Sequence, residues 1–303
     1  MAKKVDIIVV NWNSGTLTLN AIKPYLNFKN DEIICNVIIV DNASTDDSLS
    51  LFENIDCTII INATNRGFGH ACNQAFKNST ADYILLLNPD TRSSINVLKS
   101  LVNFLENNQK YAVAGPRQIT GKNITFRTCG RFPTFTTSIY EIFGLSKFMP
   151  SVFTPTPLMS EWDHLQNKTV DHVMGCYMLI RKLAVDEVGF MDDEYFVYYE
   201  DIDLSKRLSN AGYLSYFDSE HTIFHEGGSS GEFIKSKRLY YSITARRIYW
   251  KKHLNKLKYF LLFLLSLTVE PPLRMASSFA STRSFQFKNI FKAYFLYLKN
   301  IFQ

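Results

Sequence analysis

No two cysteines in this chain have the spacing of a metal site. The five, Cys35, Cys57, Cys72, Cys129 and Cys176, are scattered and odd in number, which argues against a disulfide framework and implies a reducing compartment. Long apolar runs are missing as well. Residues 5–10 form a six-residue run broken by Asp6, shorter than a signal h-region, and predict a first strand. Residues 257–269 hold one Lys and one Ser among apolar side chains; as a helix they reach roughly 20 Å, short of a hydrocarbon core of about 30 Å, before Pro271 and Pro272. That segment does not span a membrane alone. Acids are nearly absent from the last stretch: residues 235–303 carry fourteen Lys and Arg against Glu270, a balance of +13. With +5 overall, the preceding residues carry −8. An acidic body with a basic, aromatic tail calls for an anionic partner confined to the tail, nucleic acid or a membrane surface.

What is present is ordinary globular composition, 303 residues with 46% hydrophobic and 20% charged, which excludes disorder and collagen. Short apolar runs at 5–10, 36–40, 58–61 and 83–87 are separated by helical stretches, the pattern of a parallel sheet covered on both faces. The fold class is α/β. Ligands of such sheets bind beyond the carboxyl ends of the strands. The polar clusters there are Asn11-Trp12-Asn13, Asp41-Asn42-Ala43-Ser44, Asn65-Arg66-Gly67 and Asn88-Pro89-Asp90, and all four are expected to line one crevice. Taken singly, each is also what a turn or a helix cap looks like.

Residues 107–171 are punctuated by Pro116, Gly121, Pro133, Pro150, Pro155 and Pro157 and predict an irregular excursion on the substrate side. Regularity returns with a strand over 172–180, a short helix over 181–188, and six acids interleaved with aromatics between Met191 and Leu204, where a helix begins near Asp201. Gly67-Phe68-Gly69 lacks the third glycine of a dinucleotide fingerprint, but a loop bringing Arg66 and helix N–H groups to a diphosphate suits it. Residues 115–122 fail as a P-loop because five residues separate the glycines and Asn123 replaces Ser or Thr. Asp90 at the sheet edge suits Mg²⁺ or Mn²⁺ shared with a diphosphate, the alternative being a helix cap for Thr91 onward. Glu200 and Asp201, set among tyrosines, suit general-base work or, again, a capped helix start. His225, before the glycines at 227, 228 and 231, suits a metal or a phosphate.

Taken in order, Val9-Val10-Asn11-Trp12-Asn13, Val40-Asp41-Asn42-Ala43-Ser44-Thr45-Asp46, Asn65-Arg66-Gly67-Phe68-Gly69, Leu87-Asn88-Pro89-Asp90, Gly175-Cys176-Tyr177-Met178-Leu179-Ile180-Arg181 and Tyr199-Glu200-Asp201-Ile202-Asp203-Leu204 resemble the family 2 glycosyltransferases, most of all their bacterial rhamnosyltransferase-like branch. The resemblance covers residues 5–231. It implies a GT-A fold with a mostly parallel central sheet over residues 1–235 and a helical extension over 236–303. It implies that Asp41 contacts the base or ribose of a nucleotide sugar with Asn11 and Asn13, and that Asn42, Arg66, Gly67 and Asn88 complete the donor site. Asp90 would be the surviving acid of the family's Asp-x-Asp motif, Asn88 taking the first acidic position, with His225 near the metal or diphosphate. Asp201 would be the general base, supported by Glu200. One base and direct displacement predict inversion at the anomeric carbon.

The expected activity is transfer of L-rhamnose from dTDP-L-rhamnose to a glycan or lipid-linked acceptor in bacterial surface-polysaccharide synthesis. The alternatives are a UDP-hexose, UDP-galactofuranose or UDP-N-acetylhexosamine donor, or a nucleotide-binding membrane scaffold without catalysis. In the tail, Phe287, Ile290, Phe291, Tyr294, Leu298 and Ile301 follow helical spacing with Lys288, Lys292 and Lys299 on the flank, an interfacial helix. The expectation is therefore a peripheral protein on the cytoplasmic face of the cell membrane, bound to anionic lipid and not to nucleic acid. A helix packed on the body or on a second copy, giving a homo-oligomer, is the alternative.

Overall fold

The computed structural model describes residues 1–121, 123–149, 152–153, 158–225, 235–282 and 287–301. Pro150, Pro155 and Pro157 and the glycines after His225 lie outside them. The strands are β1 (Lys3–Asn11), β2 (Ile33–Asp41), β3 (Thr58–Ile61), β4 (Tyr83–Leu87), β5 (Thr91–Arg92), β6 (Tyr111–Ile119), β7 (Thr125–Phe126), β8 (Cys129–Gly130), β9 (Lys168–Val170), β10 (His172–Val173), β11 (Tyr177–Arg181) and β12 (Leu214–His225). The helices are α1 (Gly15–Ile22), α2 (Ser48–Phe52), α3 (Phe68–Phe76), α4 (Ile95–Asn107), α5 (Phe135–Ile142), α6 (Leu145–Phe148), α7 (Lys182–Val188), α8 (Glu200–Asn210), α9 (Lys235–His253), α10 (Lys256–Thr268), α11 (Glu270–Thr282) and α12 (Phe287–Ile301).

Two compact units form. The first comprises Met1–Gly130, Trp162–Phe196 and Glu200–Ser230; the second comprises Arg131–Glu161, Val197–Tyr199 and Gly231–Gln303. In the first, the sheet runs β3-β2-β1-β4-β11-β6-β12-β5, with β7 on β6 and β9 on β12, while β8 pairs with β10 apart from it. Strands β3, β2, β1 and β4 are mutually parallel; β11 enters antiparallel between β4 and β6, and β12 runs parallel to β6. The central strands β4 and β11 are buried along their whole length, because helices cover both faces of the sheet. Helix α4 shows how such a cover forms: Val97, Leu98, Leu101, Val102 and Leu105 fall on one face and are buried. Each such buried aliphatic side chain contributes about 1.5–3 kcal/mol relative to exposure.

Three expectations from the sequence are corrected. The strand over 172–180 is broken into β10 and β11 by a turn at residues 174–176. Residues 107–171 are not an excursion throughout, since β6 is a nine-residue strand of the main sheet. Thr91 starts no helix: it opens β5, which pairs with the end of β12. Pattern misled here because β6 contains Gly115 and Pro116, residues that usually interrupt strands.

The second unit is helical. Helices α9 and α12 pack through Ile243, Ile290, Tyr294 and Tyr297. The expected single stripe of α12 therefore splits, Ile290 and Tyr294 facing inward while Phe287, Phe291, Phe295 and Leu298 stay exposed. Leu257, Phe260, Leu261 and Leu264 are likewise exposed on α10. The prolines at 271 and 272 do not simply end a helix; they occupy the first turn of α11, where their missing N–H groups cost nothing. No single helix among the described residues is long and apolar enough to cross a membrane, though α10 with residues 270–278, bent by 45°, has the length and composition together. Buried Arg246 is paired with Glu141 at 3.1 Å and with Glu270, whose carboxylate also takes the Arg274 Nε–H at 2.8 Å.

Candidate active site

The carboxyl ends of β1, β2 and β4 carry Asn11 and Asn13, Asp41 and Asn42, and Asn88 and Asp90; Arg66 and Gly67 follow β3, Glu200 and Asp201 start α8 and His225 ends β12, all within the first unit. Asn11 ends β1 fully buried; its amide donates to Asp41 Oδ1 at 2.8 Å and Ser44 Oγ at 3.0 Å, and its oxygen accepts from Thr18 Oγ1 at 2.8 Å and Ser14 Oγ at 3.1 Å. Asp41 accepts the Ser44 N–H on its other oxygen at 3.0 Å. Asn42 donates to Asn65 Oδ1 at 3.0 Å and to the Gly67 carbonyl at 3.1 Å, and its own oxygen accepts from Asn62 Nδ2 at 3.2 Å. These three residues are at most 2% exposed. They form the frame beneath the rim, with the side-chain polar atoms of Asn11 and Asp41 facing one another.

The rim itself is exposed. Asn13, at φ 51°, accepts the Thr45 N–H at 2.7 Å, and Ala43 beside it has φ 64°. Two left-handed non-glycine residues in adjacent loops cost on the order of 1–3 kcal/mol each and survive where surrounding structure over-determines them. Arg66 is exposed, held at its backbone by the Asn42–Asn65–Gly67 bonds. Gly67, at φ 96°, is the position where only glycine fits, because a Cβ would lie 2.2 Å from the Phe196 carbonyl. That carbonyl accepts the Phe68 N–H at 2.8 Å. The first turn of α3 is thus partly engaged by protein, while Arg66 is the charged residue of this loop that is exposed.

Two carboxylate–imidazole pairs occupy the other half of the site. Because β5 pairs with β12 with Thr91 opposite His225, Asp90 is brought to His225, Oδ1 to Nε2 at 3.3 Å. Gln118 of β6 lies behind: its amide nitrogen donates to Cys176 Sγ at 2.7 Å, so its oxygen accepts from His225 Nδ1 at 3.0 Å. Burial pulls the His225 pKa down, but the bonds to Asp90 and Cys176 outweigh it and push it up to about 10. The second pair stands at the start of α8. Asp201 Oδ2 accepts the Gly175 N–H at 2.9 Å and lies 3.5 Å from His172 Nε2, while Oδ1 accepts the Ile202 N–H at 2.9 Å. Burial would raise the Asp201 carboxyl, yet His172 and the two N–H groups hold it below the usual carboxylate range. Glu200 goes the other way. Burial and the neighbouring Asp201 charge push it up to about 8, and among the described residues its Oε2 is buried with no hydrogen-bond partner.

The turn at Gly175-Cys176 joins both pairs. Gly175 gives its N–H to Asp201, the Cys176 carbonyl accepts the Asn88 N–H at 2.8 Å, and the Cys176 thiol accepts from Gln118. A Cβ on Gly175 would come within 3.0 Å of Asp201 Oδ2. Sequence reasoning missed His172 and Gln118. A signal existed for His172, three residues before Gly175 in the same motif region, but it was absorbed into a predicted strand.

The donor set fits a divalent cation. With Nδ1 held by the Gln118 oxygen, His225 would give up its Nε2 proton to a cation and offer that nitrogen beside the Asp90 oxygen, a set that a diphosphate and water would complete. No group of three or more His, Cys, Asp or Glu that holds a metal by itself occurs among the described residues.

The chain is 24% identical over 213 residues, 65% of its length and 68% of the relative's, to N-acetylglucosaminyl-diphospho-decaprenol L-rhamnosyltransferase of Mycobacterium tuberculosis. It is 30% identical over 203 residues, 62% of its length and 72% of the relative's, to rhamnosyltransferase WbbL of Escherichia coli K12. In fold it is similar to the mannosyltransferase PcManGT from Pyrobaculum calidifontis, solved with GDP-Man and Mn²⁺, with TM-score 0.58 and 12% identity over 98% of this chain and 88% of that one. The fold is GT-A. The profile of Glycosyl transferase family 2 matches residues 6–189, and the chain belongs to that family.

Proposed function

We propose that this glycosyltransferase moves L-rhamnose from dTDP-L-rhamnose to a lipid-linked glycan acceptor, with inversion and with Mg²⁺ or Mn²⁺. The observation that supports the reaction type is the split between the two carboxylate pairs: the Asp201 carboxyl is held below the usual carboxylate range, suited to accept a proton, while Asp90 and His225 come within 3.3 Å as a donor pair suited to a cation on a diphosphate. Two relatives named for rhamnosyl transfer support the choice of sugar. Asn13 and Arg66 contact the donor from the rim, and Asn11, Asp41 and Asn42 hold that rim in place. Asp201 takes the acceptor hydroxyl's proton as its oxygen attacks the anomeric carbon, and the nucleotide diphosphate departs on the opposite face. Asp90 and His225 would hold the cation, which when bound would supply positive charge for the leaving diphosphate.

The test is product formation with dTDP-L-rhamnose against UDP-glucose, UDP-galactofuranose and UDP-N-acetylglucosamine, using a lipid-diphosphate glycan acceptor. Turnover of dTDP-L-rhamnose with inverted anomeric configuration by NMR is expected. Preferred turnover of a UDP-sugar removes the rhamnose assignment, and donor binding with no transfer or hydrolysis favours a scaffold.

The exposed apolar faces of α10 and α12, with Lys288, Lys292 and Lys299 beside the latter, support attachment to the anionic cytoplasmic face of the membrane. Phe291→Glu with Phe295→Glu, in the full chain, is expected to abolish sedimentation with phosphatidylglycerol vesicles. Loss of self-association in the same variant, with vesicle binding intact, assigns that face to a second copy instead.

A further inference from the structure

The two oxygens of Asp201 are not equivalent. Oδ2 carries two partners, the Gly175 N–H at 2.9 Å and the His172 ring at 3.5 Å, whereas Oδ1 carries the Ile202 N–H of its own helix. His172 comes from β10, with its side chain 6% exposed, and its second nitrogen, Nδ1, lies 3.0 Å from Ser205 Oγ. Ser205 is itself 1% exposed and sits four residues beyond Asp201 on α8, so both stand on one face of the helix. One imidazole therefore bridges two positions of that face. The carboxylate assigns the tautomer: Nε2–H points at Asp201, which leaves Nδ1 as an acceptor for the Ser205 hydroxyl.

We propose that His172, locked by Ser205, is a positioning residue for the catalytic base, anchoring Asp201 Oδ2 so that Oδ1 is presented to the acceptor hydroxyl. The inference rests on the reading of Asp201 as the base. In the step it serves, the acceptor O–H bond breaks and its proton passes to Asp201 Oδ1. The acceptor oxygen's electron pair forms the bond to the anomeric carbon, and the bond from that carbon to the diphosphate breaks with its pair leaving on the diphosphate. His172 keeps Oδ2 throughout. Holding the carboxylate in place suffices, since a misplacement of about 1 Å at a reacting group costs on the order of 10²-fold in rate.

The charged and titratable groups around Asp201 are few. His172 faces it from β10 and Glu200 adjoins it on α8; Cys72 of α3 lies beyond Glu200, close enough that the Glu200 charge helps burial to raise its thiol. Of these, His172 holds the Asp201 carboxyl down and Glu200 does not. Without the imidazole, burial prevails and the carboxyl titrates at higher pH.

The experiment uses the full chain with His172→Phe, His172→Gln and Ser205→Ala, and Asp201→Asn as a control. The first readout needs no substrate: ¹³C NMR titration of the Asp201 carboxyl. His172→Phe is expected to raise its midpoint by about one unit or more, His172→Gln, which keeps an N–H donor, to restore most of the difference, and Ser205→Ala to raise it less. The second readout is dTDP release from dTDP-L-rhamnose across pH. The acid limb of kcat is expected to move up with the NMR midpoint in His172→Phe, kcat falling on the order of 10²-fold with the donor KM unchanged. An unchanged NMR midpoint in folded His172→Phe overturns the proposal, as does an activity loss equal at every pH. If His172→Phe does not fold, a Ser205→Ala midpoint and acid limb identical to wild type overturn it. Wild-type turnover by Asp201→Asn removes the base itself, a result separable from the NMR coupling.

Discussion

The site holds two carboxylates that each face an imidazole, and they are built in opposite senses. At Asp90–His225, the imidazole's far nitrogen is tied to an amide, Gln118, that is itself anchored on a thiol. At Asp201–His172, the far nitrogen is tied to a hydroxyl on the carboxylate's own helix, and two backbone N–H groups share the negative charge. In the first pair the His225 pKa is raised; in the second the Asp201 pKa is lowered. The difference teaches how one sheet edge serves two electrostatic tasks: a carboxylate beside an imidazole anchored from behind suits a cation, and a carboxylate that accepts two backbone N–H groups is kept available as an anion.

The largest test of this division is Asp201→Asn. An amide keeps the shape but accepts no proton, so kcat is expected to fall by about 10²- to 10⁴-fold while nucleotide affinity by calorimetry stays within about twofold. Equal loss of both would merge the two pairs into one function. Asp90→Ala and His225→Ala are expected to reverse the pattern. Nucleotide diphosphate binding with Mn²⁺ should weaken by about 10- to 100-fold, the weak binding seen with EDTA being unchanged by either substitution. If EDTA leaves wild-type turnover intact, the cation role of this pair is wrong.

How much of this was legible in the sequence follows from where the partners lie. Strands ending in Asn and Asp announced a parallel sheet with its site at the carboxyl edge, because those signals are local. The meeting of Asp90 with His225 was legible only through the family resemblance and not from residue patterns, since it depends on a two-residue strand, β5, placed opposite the end of β12 more than a hundred residues away. Asn11 and Asp41 were found but their orientation was not: burial turns their polar atoms toward each other, and no pattern of residue types encodes which way an Asn points. His172 was read as a strand residue because the turn that frees it, at Gly175 and Cys176, contains apolar neighbours. The split of α12 into an inward and an outward apolar face likewise required α9 to be in place.

Gly175→Ala is the next smaller perturbation and discriminates between the pairs. Its Cβ would press on Asp201 Oδ2 at 3.0 Å, a contact tighter than most, and that oxygen cannot retreat without loosening the Gly175 N–H bond. We expect kcat to fall by roughly tenfold, with Mn²⁺-dependent nucleotide binding preserved. Equal damage to binding would mean that the turn transmits strain through Cys176 and Gln118 to His225, and that the two pairs are mechanically one.

The smallest effect expected is on stability, at Glu200, the carboxyl that stands between these extremes. Its folded-state pKa, about 8, lies above its unfolded value, so the unfolded chain loses this proton first as pH rises. The contribution of the protonated carboxyl is therefore fully present below the unfolded value, declines from about pH 4.5 upward, and is gone above the folded value. Glu200→Gln imitates the neutral form at every pH and removes that dependence. Relative to wild type, its Tm should be nearly equal at pH 4 and progressively higher toward pH 8, once the shared pH dependence of other groups is subtracted. A difference in Tm that stays constant across this range would show that Glu200 is ionised in the folded protein alongside Asp201, so that the pair carries two charges.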